Sequence, residues 1–449
     1  MKRDANWIAE ATGGRVVQDA PGEFTRAVID SREAGPGTLF VGLPGATADG
    51  GAFAPKALEN GAWGVMVAED NATADALSTV HRPLSTGGAV IAVKRPLKAL
   101  HALARSYRRE LKATTIGITG STGKTSTKDI LTALLRPHLK THSSRENFNT
   151  EIGLPLTILE APNDTEALVL EMAMRGEGQI AELVAIAEPD VGVIVNVGPV
   201  HLELLGTVER VAAAKAELIR DLEPGSGCVV PYGDRYLEPH LRGDLETLTF
   251  GPGGDVQVTD DGAIELRGER IDLELPYNQP HNLLNTCAAV AAARLIGVHP
   301  SGRVDVRFSS LRGEVVELGS GVEVVNDCYN ANPMSMRAAL DHLAGSPAER
   351  RIAILGTMAE LGPDAERYHR EIGAHARGLG IDVLITVGKA ALPYAEAFDG
   401  ERYPVATPEE AGALLEEIAR PGDRVLVKGS RSVGLERVLQ PDPAAGVAP

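Results

Sequence analysis

The run Thr115-Ile-Gly-Ile-Thr-Gly-Ser-Thr-Gly-Lys-Thr-Ser126 narrows the fold more than any other part of the chain. An apolar strand turns through glycines straight into a helical pattern. Such a turn lets backbone N–H groups curl around an anion, and the new helix points its positive end at the same spot. Gly120, Ser121, Thr122 and Gly123 make the turn, and Lys124, Thr125 and Ser126 open the helix. Lys124 supplies a cation for terminal phosphates, and the Thr125 hydroxyl is of the kind that ligates Mg²⁺. Ile118 stands where the general pattern has its first glycine, so this is the shortened Gly-x-x-Gly-Lys-Thr form. The competing reading, a glycine-rich turn that binds nothing, sits poorly with the strand–loop–helix context.

A strand feeding a helix in this way recurs along the chain. Apolar runs at Thr38–Leu43, Val90–Val93, Thr115–Thr119, Leu168–Met172, Val191–Val197, Ile352–Leu355, Val383–Val387 and Arg424–Val427 read as strands. Helical patterns lie among them at Leu97–Glu110, Lys124–Leu135, Val208–Leu222 and Pro408–Ile418, the last with Thr407 as its cap. This alternation predicts an α/β protein built on parallel sheets with right-handed crossovers. At 449 residues several domains are expected. Three are read here: residues 1–92, small and α/β; residues 93–310, carrying the phosphate loop on a parallel sheet; and residues 311–449, again alternating in a Rossmann-like way. Within the second, Val256–Leu275 reads as an added β-rich part with a hairpin at Asp261-Gly262. Pro441–Pro449 reads as a frayed tail.

The formal net charge of −17 speaks against nonspecific binding to nucleic acid or to an anionic membrane. No apolar run approaches the length of a bilayer span, and Met1–Gly14 lacks the apolar core of a signal peptide. Cys228, Cys287 and Cys328 have neither disulfide-framework nor zinc spacing. A cytoplasmic protein without membrane insertion is expected.

Further candidates come with two readings each. Glu171 and His201 lie near the carboxyl ends of predicted strands, where open α/β sheets place ligands. Alone, Glu171 could be a solvated strand end and His201 a loop residue; behind a phosphate loop that calls for Mg²⁺, metal ligation becomes the better account. Lys215, in Ala212-Ala-Ala-Lys-Ala-Glu217, reads as a surface lysine. Asn282 and Asn285 share a helical face; Asn282 could read a base edge or cap the helix. Asn326-Asp-Cys-Tyr-Asn-Ala-Asn-Pro333 crowds polar groups at a strand end, with Pro333 suited to open the next helix. Lys428-Gly-Ser430-Arg431 is a basic turn that would suit an anionic group.

Taken in order, these segments resemble the Mur ligase family of ATP-dependent ligases over nearly the whole length. Ile29-Asp-Ser31-Arg32, Leu39-Phe-Val-Gly42 and Asp49-Gly50 are similar to its uridine-nucleotide domain, and Gly120–Thr125 to its phosphate loop. Asn147-Phe-Asn149 resembles the stretch lining the muramoyl-peptide site. Glu171-Met-Ala-Met-Arg-Gly176 and Asn196-Val-Gly-Pro-Val-His201 resemble the metal-binding segments. Asp327–Pro333 resembles the branch that accepts D-alanyl-D-alanine. The resemblance implies an acid–amino-acid ligase of peptidoglycan precursor synthesis; a monomer is expected. Its substrates would be ATP, a UDP-N-acetylmuramoyl-tripeptide and D-alanyl-D-alanine, with two Mg²⁺ ions. It implies Lys124, His201, Lys215 and Arg312 as catalytic residues. Gly120–Ser126, Asn282, Arg312 and Asp327 would bind ATP. Thr125, Glu171, His201 and a carbamylated Lys215 would hold metal. Ser31, Arg32, Asn147, Asn149, Asn330, Asn332, Lys428, Ser430 and Arg431 would contact the other substrates. One departure is Thr357, where the family usually has Asp. A sibling amide ligase should differ at Tyr329–Pro333, and a nonenzymatic P-loop switch would not need Glu171, His201 and Lys215 together.

Overall fold

The computed structural model describes residues 3–46, 48–73, 76, 87–145, 147–309, 311, 313–318 and 321–439. Three large sheets succeed one another along the chain, and a two-stranded pair joins 273–274 to 302–303. The first runs in the order 15–18, 89–93, 64–68, 38–41, 26–28, parallel except for its first strand. The third runs 314–318, 322–326, 423–428, 350–356, 383–387, 401–405, again parallel but for the edge strand 314–318. Strands with fully buried side chains, such as Val383–Val387, are what a sheet covered by helices on both faces requires.

The second sheet has nine strands in the order 269–271, 264–266, 256–258, 246–250, 227–231, 191–194, 114–119, 167–171, 141–143. The strand Thr114–Thr119 therefore lies between Ala167–Glu171 and Val191–Ile194, parallel to both. Register pairs Ile118 with Glu171 and Thr119 with Ile194. All three strands thus end at one level, and the loops that leave them meet at one edge of the sheet. The helix Lys124–Leu135 buries Ile130, Leu131, Leu134 and Leu135. It shares a core with Cys287–Ala293 of the helix Pro280–Leu295, whose small side chains permit close approach.

The hairpin forms as the turn residues predict. Val256 pairs with Leu266 and Val258 with Ile264, and Gly262 takes the positive φ of +81° that a side chain would resist. Thr407 caps Pro408–Ile418 through the Glu410 N–H, and Pro333 opens the helix Pro333–Gly345. Three elements are shorter than predicted. The strand from Thr38 stops at Val41, the strand from Val191 stops at Ile194, and the helix from Val208 stops at Arg220. Val195 and Val197 are apolar because the loop that carries them is buried, which mimics a strand in sequence. Pro441–Pro449 and Arg312 lie outside the described residues. No helix among the described residues is long and apolar enough to cross a membrane.

Candidate active site

The phosphate loop is stapled in place by a residue the motif does not contain. Asn196 Oδ1 accepts from the Ser121 and Thr122 N–H groups (3.1 and 3.0 Å), and its Nδ2 donates to Thr122 O (3.1 Å). Ser121 Oγ meanwhile bonds both the N–H (2.9 Å) and the carbonyl (3.2 Å) of Gly198. The helical ladder begins with Thr127 N–H donating to Gly123 O (2.8 Å). The N–H groups of Lys124, Thr125 and Ser126 are thus the donors at the open end of the helix. Gly123 must be glycine: its φ is +77°, and a Cβ would meet Asn285 Oδ1 at 2.6 Å.

Beside the loop, Glu171 is 1% exposed, so it is not a solvated strand end. Its carboxylate accepts from Thr125 Oγ (2.6 Å) and from Asn149 Nδ2 (2.8 Å), and Ser144 Oγ accepts from its N–H (3.1 Å). Lys215 corrects the sequence reading outright, being 2% exposed rather than on the surface. The helix Val208–Arg220 turns Val211, Lys215 and Leu218 inward on one stripe. Lys215 Nζ donates to Gly120 O (3.0 Å), the carbonyl that also accepts from Lys124 Nζ (2.8 Å). Burial first, and then the Lys124 charge, hold the Lys215 amine well below the ordinary lysine pKa. His201 stands at the end of the Asn196 loop, with φ +53°. Burial lowers its pKa, the Glu360 carboxylate at Nδ1 opposes that fall, and the Lys215 and Lys124 ammoniums add to it.

The third unit completes a cleft of about 1370 Å³. Ser121–Ser126, Asn147, Asn149, Glu171, His201 and Asn282 line it from one side; Asp327, Asn330, Asn332, Lys428, Ser430 and Arg431 line it from the other. Asn332 does two jobs. It caps Pro333–Gly345 in a capping box with Ser335, and its Nδ2 reaches Ser121 O of the phosphate loop (3.4 Å). Asn282 is the third residue of its helix, whose N-cap position is Gln279, so the capping alternative falls away. The basic turn is less bare than its sequence suggests. Lys428 Nζ is buried against Asp327 Oδ2 (2.5 Å), and Arg431 pairs with Glu436 (3.1 Å). Thr357 contributes its carbonyl, which accepts from the Ser430 N–H (3.0 Å). Ser31 and Arg32 are not brought to the cleft. Arg32 is exposed and paired with Asp30, and Ser31 starts a short 3₁₀ turn beside the first sheet.

Sequence reasoning passed over Asn196 as an agent and gave Glu360, beside the departing Thr357, no role. Asn196 carried a signal, a polar side chain inside a buried apolar run next to a phosphate loop. Glu360 carried none, because its partner lies 159 residues away in another unit.

The donors present suit a hard cation. A threonine hydroxyl and a carboxylate in contact, with an imidazole on the same wall, match the oxygen-rich and partly hydrated shell of Mg²⁺ beside phosphates. Among the described residues no three His, Cys, Asp or Glu side chains gather into a preformed metal cage.

Comparison with known proteins gives this cleft its relatives. Family models match in three segments: the Mur ligase family catalytic domain over residues 23–108, the Mur ligase middle domain over 118–293, and the Mur ligase glutamate ligase domain over 311–431. The UDP-N-acetylmuramoyl-tripeptide–D-alanyl-D-alanine ligase of Synechocystis sp. is 36% identical over 425 residues, 91% of this chain and 90% of that protein. A MurF crystal structure from Acinetobacter baumannii superposes with a TM-score of 0.85 at 26% identity, covering 98% of each chain. The MurF ligase of Thermotoga maritima, solved in complex with ADP, gives 0.79 at 32% identity, over 92% of this chain and 96% of that one. Sequence, fold and the order of the segments agree: this chain belongs to the Mur ligase family.

Proposed function

We propose that this protein is an ATP-dependent ligase that joins D-alanyl-D-alanine to a UDP-N-acetylmuramoyl-tripeptide through an acyl phosphate. The observation that carries the reading is the near full-length identity to ligases named for that reaction, combined with a cleft that sets a phosphate loop against the Asp327–Asn332 turn. Residues 1–92 are assigned to the uridine nucleotide, 93–310 to ATP and the acyl transfer, and 311–449 to the incoming dipeptide and the far side of ATP.

The reaction must bring a carboxylate up to a triphosphate, so charge repulsion is the main obstacle. Lys124 and the N–H groups at the start of its helix would draw charge off the phosphates, an effect strongest where water is excluded. Asn196 keeps that cradle from rearranging. Thr125, Glu171 and His201 would hold magnesium, which supplies Lewis-acid neutralisation of the phosphoryl oxygens. Asn282, at the cleft wall, would read the adenine edge, and Asn330 and Asn332 would orient the dipeptide.

Lys215 fits as a carbamate better than as an ammonium. Its depressed pKa favours the neutral amine that CO₂ requires, and the carboxylate-like group gained would complement the Lys124 charge that shares Gly120 O. Lys215→Ala should lose activity, and formate or acetate should partly restore it by filling the vacated position. The same acids should do nothing for Lys124→Ala, whose missing charge has the opposite sign. The test of the whole reading is phosphate release from ATP with purified UDP-muramoyl-tripeptides and D-alanyl-D-alanine. Turnover with D-glutamate or a diamino acid in place of the dipeptide would assign the chain to a sibling reaction instead.

A further inference from the structure

One contact between the second and third units has no part in the reaction as proposed. The loop Ala359–Gly362 reaches from its own sheet across to the turn that carries His201. From behind it is braced by Ser430, whose Oγ accepts from the Ala359 N–H (2.9 Å), and by the buried Leu361. In front, the Glu203 N–H donates to Glu360 O (3.2 Å). Gly362, at φ +61°, lies so close that a Cβ there would come within 3.2 Å of Glu203 Cα. The Glu360 carboxylate then grips two side chains of the second unit: Oε2 bonds His201 Nδ1, and Oε1 lies 3.4 Å from Arg175 Nε.

The chemistry of that grip is directional. A carboxylate only accepts, so the bond fixes the ring hydrogen at Nδ1. In the neutral ring Nε2 then keeps its lone pair, and no hydrogen bond engages Nε2 among the described residues. Both backbones are also held in an uncommon state. His201 has φ +53° and Glu360 φ +62°, a left-handed region that side-chain-bearing residues occupy only when their surroundings enforce it.

We infer that Glu360 is a positioning residue that couples docking of the third unit to the orientation of His201. With the loop seated, the imidazole presents Nε2 as a ligand; with the loop withdrawn, nothing holds the ring. The metal-binding wall is therefore complete only in the closed protein, which keeps ATP from being committed in the open one. This rests on the proposed ligase reading, because His201 is taken as a metal ligand there.

The full chain carrying Glu360→Ala or Glu360→Gln tests this without relying on turnover. In the presence of a nonhydrolysable ATP analogue, calorimetric titration with Mn²⁺ reads the metal site, and small-angle X-ray scattering reads closure. Glu360→Ala should bind Mn²⁺ roughly 10–100-fold more weakly than wild type, the usual scale for losing a residue that orients a ligand. It should also scatter as a more open particle. Glu360→Gln keeps the shape and an amide oxygen that accepts from Nδ1, so it should fall between the two and serves if the alanine variant misfolds. Unchanged Mn²⁺ affinity and unchanged scattering would overturn the inference, as would a loss of kcat alone at wild-type metal affinity. If wild type fails to join D-alanyl-D-alanine to the tripeptide, the ligase reading falls, and these two measurements still decide the role of Glu360.

Discussion

Replacing Lys215 by methionine should abolish ligation and yet raise the melting temperature at neutral pH. The side chain is 2% exposed, and its Nζ has one acceptor, Gly120 O, which it shares with Lys124. Methionine has nearly the same length and no charge, so it can occupy the same space. Exchanging a buried ionic group for an apolar side chain of similar volume is neutral or stabilising by about 1–4 kcal/mol. The one hydrogen bond forfeited is worth about 1 kcal/mol, which leaves a net gain of up to about 3 kcal/mol. At about 2–4 °C per kcal/mol for a unit of this size, Tm should rise by up to roughly 12 °C. The pH dependence gives a sharper check. The unfolded lysine titrates near about 10.4, and in the folded protein the pKa is depressed. Between the two values the unfolded chain binds more protons, so wild-type stability climbs with pH across that window. Below the folded pKa both states are protonated and the full penalty remains. The advantage of Lys215→Met should therefore shrink as the pH rises from neutral toward the ordinary lysine value. Calorimetric melts of both proteins in CO₂-free buffers over that range would show it. A variant that melts below wild type, or an advantage that does not change with pH, refutes the argument that Lys215 is a destabilising group kept for chemistry.

Lys124→Ala should cut ATP-dependent phosphate release by roughly 10²–10³ while leaving the melting curve in place, since the lysine is a charge donor at the cleft rather than a core residue. Asn196→Ala leaves the Ser121 and Thr122 N–H groups without their side-chain acceptor. It should cost about 1–3 kcal/mol of stability and raise KM for ATP, as seen in denaturant titration and steady-state kinetics. Gly123→Ala combines a positive φ with a clash at Asn285. It should cost at least about 1–2 kcal/mol and weaken nucleotide binding in calorimetric titration, and binding as tight as wild type would mean the loop tolerates rearrangement.

The features legible in the sequence were those settled within a few residues. The phosphate loop, the Thr407 and Pro333 helix starts and the Asp261-Gly262 hairpin all rest on local turn and cap chemistry, and all form. Lys215 shows the limit of composition as a guide. A lysine among alanines looks exposed, although Val211, Lys215 and Leu218 fall on one helical stripe, and that spacing already placed it inward. The roles of Lys428 and Arg431 depended on partners, Asp327 and Glu436, whose proximity is a property of sheet order and a 3₁₀ turn rather than of the basic run itself. Glu360 lay beyond reach because its partners belong to another unit and no local pattern announces them.

The location of the cleft comes from strand order rather than from any single residue. The strand Thr114–Thr119 has parallel neighbours on both sides, so the chains leaving Glu171 and Ile194 emerge to its left and right at one level. Open α/β sheets bind ligands at such a point because the connections part there and leave a crevice. Thr125 and Glu171 meet only because Ile118 and Glu171 are paired; a slip of one residue would turn the carboxylate to the opposite face of the sheet. The third sheet repeats the arrangement with Asn326 paired to Val427, which brings Asp327 and Lys428 together at its own carboxyl edge. Each edge by itself offers half of a site. Two crevices of this kind placed mouth to mouth make an enclosed volume that neither sheet can form alone. The residues touching both, Asn332 on Ser121 and Glu360 on His201, are then the ones through which domain position can act on chemistry.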